Sequence, residues 1–160
     1  MKRFDLMGVC GYASAAVILL ALVAWPSAGW SRDLRCVAVT KGDIEKLFDK
    51  WNAALQTGNA DKVADTYAPD ATLLPTVENG PLKTRGDIIL YFRHFLEGKP
   101  VGAINERVIH IGCNIAFDIG LYTFTYGTGE PPTPARYTFI YEYHGRRWLI
   151  AHHHSSKRPK

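Results

Sequence analysis

Three consecutive histidines, His152-His153-His154, close the apolar run Trp148-Leu149-Ile150-Ala151. Imidazole suits general-base work near neutral pH and also binds metals. An extended chain has a side-chain period of two, which puts His152 and His154 on one face and His153 on the other. Whichever face lines a cavity, at least one imidazole reaches it. A metal centre needs three or four ligands. No further His, Cys or carboxylate pattern completes one, so neither metal nor cofactor is expected. The remaining readings are a general base, or structural histidines at a pocket rim or oligomer interface. Arg85 and Arg136 each lie near a loop beside apolar segments. A guanidinium there either receives a ligand carboxylate or is simply solvated. Trp51, Tyr67, Tyr91 and Tyr122 are the aromatic candidates for a pocket wall, although aromatic residues at such spacing also make plain core.

The elements that must position these groups are legible. The stretch from Arg136 to Ser156 reads as two strands joined at His144-Gly145-Arg146, with one glycine free to take positive φ. Tyr137, Phe139, Tyr141 and Tyr143 alternate with Thr138, Ile140 and Glu142. Read as aromatic crowding on both faces, this predicts self-association through the sheet, because helices cover only one face. A first helix runs from Asp43 to about Thr57, opened by a Thr40/Asp43 capping box. Its stripe is Ile44, Leu47, Phe48, Trp51 and Leu55. A second helix, Asp61 to Tyr67, is capped by Asn59 and ended by Pro69, and a short strand follows from Ala71 to Pro75. Thr84 caps a third helix, Arg85 to about Leu96. Strands Val101–Ile111 and Ile115–Tyr126 precede the final hairpin. Three helices followed by a curled antiparallel sheet is an α+β arrangement.

The first thirty residues differ from the rest. Lys2 and Arg3 precede an apolar run, and Ser27-Ala28-Gly29 offers small residues for cleavage, the layout of a secretory leader over residues 1–29. The alternative is an anchor over residues 8–25 that stays attached. Removing residues 1–29 takes Lys2 and Arg3 from 19 basic residues and Asp5 from 15 acidic ones, leaving 17 against 14, or +3. That charge is spread along the chain, with one basic tail at 157–160. No basic stripe interleaved with aromatics suggests nucleic acid. Residues 30–39 form a lead-in and 40–156 the domain. Loss of Cys10 would leave Cys36 and Cys113, an even pair that predicts a disulfide in an exported chain. Two independent buried thiols are the alternative.

This order of elements resembles the nuclear transport factor 2-like superfamily, in particular Gly58-Asn59-Ala60-Asp61 through Tyr67-Ala68-Pro69-Asp70-Ala71. More narrowly, Trp148 through Ser156 is similar to the closing strand of the calcium/calmodulin-dependent protein kinase II association domain, where a Trp-Leu pair is followed by His-x-His and small polar residues. The resemblance implies a cone: helices packed into a bent sheet around a pocket. It implies no kinase chemistry, since no kinase domain or phosphate loop accompanies it. The association domain has an arginine in the strand corresponding to Leu121-Tyr122-Thr123, where this chain carries Tyr122. Isomerases and cyclases of the superfamily use a carboxylate base, for which Asp118, inside Ile115–Ile119, is the foremost candidate, with Glu106 and Glu78 behind it. Two functions stay open. One is an exported, non-catalytic module that self-associates as a homodimer or larger and binds a small organic ligand. The other is a ketosteroid-isomerase-like or polyketide-cyclase-like enzyme on a small hydrophobic carbonyl compound, with Asp118, His152 or His154 as its catalytic group.

Overall fold

A computed structural model describes residues 35–76 and 78–159; the leader expected at 1–29 lies outside these. Helix α1 spans Lys41–Gln56. The Thr40 side chain accepts from the Asp43 amide, while the Asp43 carboxylate accepts from the Thr40 amide, a reciprocal cap worth about 1 kcal/mol. Ile44, Phe48, Trp51 and Leu55 are all buried, as the three-four spacing requires. Helix α2 is only Ala60–Ala64, shorter than the pattern predicts. Tyr67 therefore opens strand β1, Tyr67–Leu74, instead of ending a helix. Pro69 sits inside that strand, in the irregular stretch between Tyr67 and Thr72. An edge strand tolerates its missing N–H.

Helix α3 spans Arg85–Phe95 and a 3₁₀ turn follows over Leu96–Gly98. Strands β2 (Pro100–Ile111), β3 (Ile115–Tyr126), β4 (Thr133–Tyr143) and β5 (Trp148–Lys157) complete the chain. The sheet order is β1-β5-β4-β3-β2. Its last four strands pair antiparallel, and β1 joins β5 in parallel. The helices pack on one face of this curved, unclosed sheet, so the class is α+β. The Asn52 amide locks α1 to β2: its Nδ2 donates to the Gly102 carbonyl and its Oδ1 accepts from the Gly102 amide, both at 2.9 Å.

Two expectations need correction. Tyr137, Phe139 and Tyr141 do not crowd both faces, because residues two apart share one face. All three are buried under the helices. The outer face carries Thr138, Ile140, His152 and His154 instead, with Val108 (55% exposed) and Ile119 (39%) beside them. Lys157, expected in a frayed tail, still pairs with Ala135 at the end of β5.

Cys36 and Cys113 form a disulfide with Cα atoms 4.8 Å apart, 77 residues apart in sequence. Cys113 lies in the β2–β3 turn. Its neighbour Asn114, at φ 59°, accepts from the Val37 amide at 2.9 Å and donates to the Arg35 carbonyl at 3.1 Å. The disulfide and the hydrogen bonds of Asn114 thus hold the lead-in to the turn. No described helix is long and apolar enough to cross a membrane.

Candidate functional site: an aromatic cavity closed by His153

The alternation Tyr122-Phe124-Tyr126 points three aromatic rings from β3 towards α3. From α3, Tyr91, Phe92 and Phe95 face them, and Trp51 of α1 closes the inner side. Together they wall a cavity of about 580 Å³. Phe95 meets Phe124 edge-on at 5.3 Å and Tyr122 meets Phe124 edge-on at 4.7 Å, while Tyr91 stacks on Phe95 at 5.8 Å. The Tyr122 hydroxyl donates to Ser155 Oγ at 2.6 Å, and Ser155 Oγ lies 3.0 Å from Thr76 Oγ1. These hydroxyls also border the cavity. Exposed His94, Glu97, Glu130 and Lys157 ring its mouth.

His153 borders the deep end and is 3% exposed. Its place there follows from a bulge. Ile150 pairs with Tyr141 and His152 with Ile140, which leaves Ala151 as an extra residue. Both Ile150 and His153 then face inward although they are three apart. Ring stacking on Phe139 at 4.0 Å and an edge-on contact with Trp51 at 5.3 Å hold the imidazole. Trp51 Nε1 donates to the Tyr67 hydroxyl at 3.2 Å, and that hydroxyl lies 2.8 Å from His153 Nδ1. Burial, reinforced by the neighbouring His152 and His154, pushes the His153 pKa down to about 3. The phenols of Tyr67, Tyr91 and Tyr122 are shifted upward by burial. The cavity is lined by neutral groups at its depth and carries its charges at the mouth.

Asp118 does not join this site. It is fully buried on the inner face of β3, where Oδ1 accepts from Tyr137 at 2.8 Å and from Arg107 Nε at 3.1 Å. Burial raises its pKa, against the pull of Tyr137 and Arg107. Arg107 lies over the Phe48 ring at 5.6 Å. The cluster has the form of an internal ion pair held by sheet and helix. Among its buried atoms, Asp118 Oδ2, Arg107 Nη2 and the Tyr141 hydroxyl have no partner among the described groups.

Of the candidate residues, the fold brings Trp51, Tyr91, Tyr122 and His153 to one cavity. His152 and His154, candidates for catalysis, fall on the outer face, because the bulge at Ala151 inverts the phase that simple alternation carries forward from Ile150. Tyr67 stands behind His153. Arg85 belongs to a smaller pocket of about 160 Å³ with Tyr67 and Arg147, and its guanidinium is 2.9 Å from Asp65. Arg136 projects outward and donates from Nε to Ser156 Oγ at 3.2 Å. Glu106 and Glu78 are exposed. Ser155, Thr76 and Phe124 were not among the candidates. The alternation of Tyr122, Phe124 and Tyr126 could have found one of them; nothing local marks the hydroxyls. Among the described residues no three His, Cys, Asp or Glu side chains converge on a metal-sized site.

The sequence profile of the calcium/calmodulin dependent protein kinase II association domain matches residues 40–159. A Xanthomonas campestris chain of solved structure, described as such an association domain, is 46% identical; the match covers 79% of this chain and 97% of that one, at a TM-score of 0.71. An NTF2-like protein of unknown function from Pseudomonas putida shares the fold at 18% identity and a TM-score of 0.68, over 79% of this chain and 92% of that one. A Streptomyces avermitilis protein of the NTF2-like family, whose description proposes a dehydratase, does so at 11% identity and 0.65, over 73% and 94%. No curated protein matches. The chain belongs to the calcium/calmodulin-dependent protein kinase II association domain family, on the NTF2-like fold.

Proposed function

We propose that this chain is an exported domain that associates with copies of itself and holds a small, largely apolar ligand in its aromatic cavity without transforming it. The observation that carries this reading is the deep end of the cavity. The imidazole there is 3% exposed, stacked on Phe139 and hydrogen-bonded to Tyr67, and this burial pushes its pKa down to about 3, whereas an effective general base has a pKa near the working pH. Aromatic walls with few polar anchors are the usual lining of a small-molecule site. Self-association is supported by the family description and by the outer sheet face, where Val108 and Ile119 stand exposed. Export is supported by the leader pattern of residues 1–29 and by the Cys36–Cys113 bond, which belongs in an oxidising compartment.

Titration with the neutral fluorophore 1-aminoanthracene tests the ligand reading. Saturable binding at one site per chain is expected, with loss of binding in Thr133→Trp, which fills the cavity from its wall. Absence of saturable binding in the native chain overturns it. The alternative, a proton-transfer enzyme on a small hydrophobic carbonyl compound, is favoured by an imidazole bordering the cavity beside tyrosines. Turnover of enolisable ketones that falls in His153→Gln would establish that alternative instead.

A further inference from the structure

We infer that the cavity selects an uncharged, predominantly apolar ligand that presents a hydrogen-bond acceptor, such as a ketone or quinone oxygen, to His153 Nε2 at its buried end. The inference rests on the ligand-binding reading above and adds the ligand's chemical class.

The argument is one of proton placement. An indole Nε1 is a donor only, so in the Trp51–Tyr67 contact the Tyr67 oxygen accepts. Tyr67 is 5% exposed, and among the described residues its other hydrogen-bonding neighbour is His153 Nδ1. Its own proton therefore goes to Nδ1. A neutral imidazole carries one N–H. With Nδ1 accepting, that hydrogen must sit on Nε2. The Nε2 atom is buried and has no partner among the described groups, while the residue borders the cavity. A buried donor left unpaired is costly, whereas one matched by a ligand acceptor is not. The side chains in ring contact with His153, those of Trp51, Tyr67 and Phe139, offer rings and no positive charge. An anionic ligand would lose its hydration at the deep end without gaining a cation. Lys157, the lysine of the lining, is exposed at the mouth. A site built to donate one hydrogen bond rejects the analogue that lacks the acceptor.

Three shape-matched probes test this on the native chain by calorimetric titration: indan-1-one, indane and indane-1-carboxylate. Indan-1-one should bind about tenfold or more tighter than indane, and tighter than the carboxylate. Equal affinity for indanone and indane overturns the acceptor inference while leaving a ligand-binding cavity intact. Preference for the carboxylate overturns the uncharged class. Binding of none of the three overturns the acceptor inference, and the ligand-binding reading falls with it where 1-aminoanthracene does not bind either. Nitrogen-15 NMR of the imidazoles supplies an independent arm that needs no variant. The expected His153 signature is a protonated Nε2 and an unprotonated Nδ1, unchanged from pH 8 to pH 5. The opposite tautomer overturns the inference whatever the probes do. In His153→Phe the preference for indanone over indane should vanish.

Discussion

At the scale of single residues, two buried titratable groups have opposite effects on the pH dependence of stability. The ordinary pKa of His153 is 6.5 and in the fold it is about 3. The unfolded chain binds the extra proton between those limits, so the stabilising effect is fully present above about pH 6.5 and is lost as pH falls towards 3. The expected loss is about 1.4 kcal/mol per pH unit in that window. Denaturant unfolding at pH 6.5, 5.5 and 5 should show this slope, and it should flatten in His153→Gln; an identical slope in the variant refutes the assignment. Asp118 shifts upward instead, so its contribution is present below its unfolded value and declines as pH rises through its folded one. At neutral pH its charge matters through Arg107. In Asp118→Asn the largely buried guanidinium loses its counter-ion, and a loss of about 2–4 kcal/mol is expected. Unfolding by urea measures it, and a change below about 0.5 kcal/mol, typical of a surface position, would show that the pair is not structural.

Between residues and the whole chain stand the elements, and here the β2–β3 pair makes a sharp demand. The register slips between Ile104 and Glu106, and the bulged backbone presses on Gly120 so closely that a Cβ there would collide with the Glu106 carbonyl. Gly120→Ala should therefore cost about 1–3 kcal/mol; a variant as stable as the native chain would mean that the bulge relaxes freely. Bulges also mark the limit of what sequence reveals. The helices were legible because Thr40, Asn59 and Thr84 cap them and apolar residues recur at three and four. The bounds of β3 follow from its turn residues and alternation. The wall residues Trp51, Tyr91 and Tyr122 were legible as aromatics. What alternation could not supply was phase across an inserted residue: Ala151 turns His153 inward and His152 and His154 outward. Similarly, Tyr67 reads as the last turn of a helix by spacing, but α2 stops early and the chain is drawn into pairing with β5.

For the molecule as a whole, the disulfide and the outer sheet face set the predictions. The Cys36–Cys113 bond closes a loop of 77 residues, for which the chain-entropy estimate is about 4 kcal/mol before strain and residual structure are deducted. Cys36→Ser with Cys113→Ser should lower stability by about 2–4 kcal/mol. Thermal unfolding with and without reductant checks this, and two titratable thiols in the non-reduced native chain would contradict the bond. Sedimentation should find a dimer or larger assembly at micromolar concentration. Ile119→Glu, at a 39% exposed site on the outer face, should shift it towards monomer without unfolding it. A native chain that sediments as a monomer would end the self-association reading.

The run His152-His153-His154-Ser155-Ser156 is, in effect, redundant code. Delete His152 and each later residue advances one place along β5. His154 then occupies the wall position of His153, and Ser156 takes that of Ser155 beside Tyr122. Both inward-facing groups are replaced in kind, and the change falls on the outer face. An insertion before His152 is not forgiven equally: His152 still reaches the wall, but His154 displaces the serine that accepts from Tyr122. The strand therefore tolerates a length error in one direction and not in the other. A deletion and an insertion differing by only two residues in length should separate cleanly, the first retaining cavity binding of 1-aminoanthracene and the second impairing it.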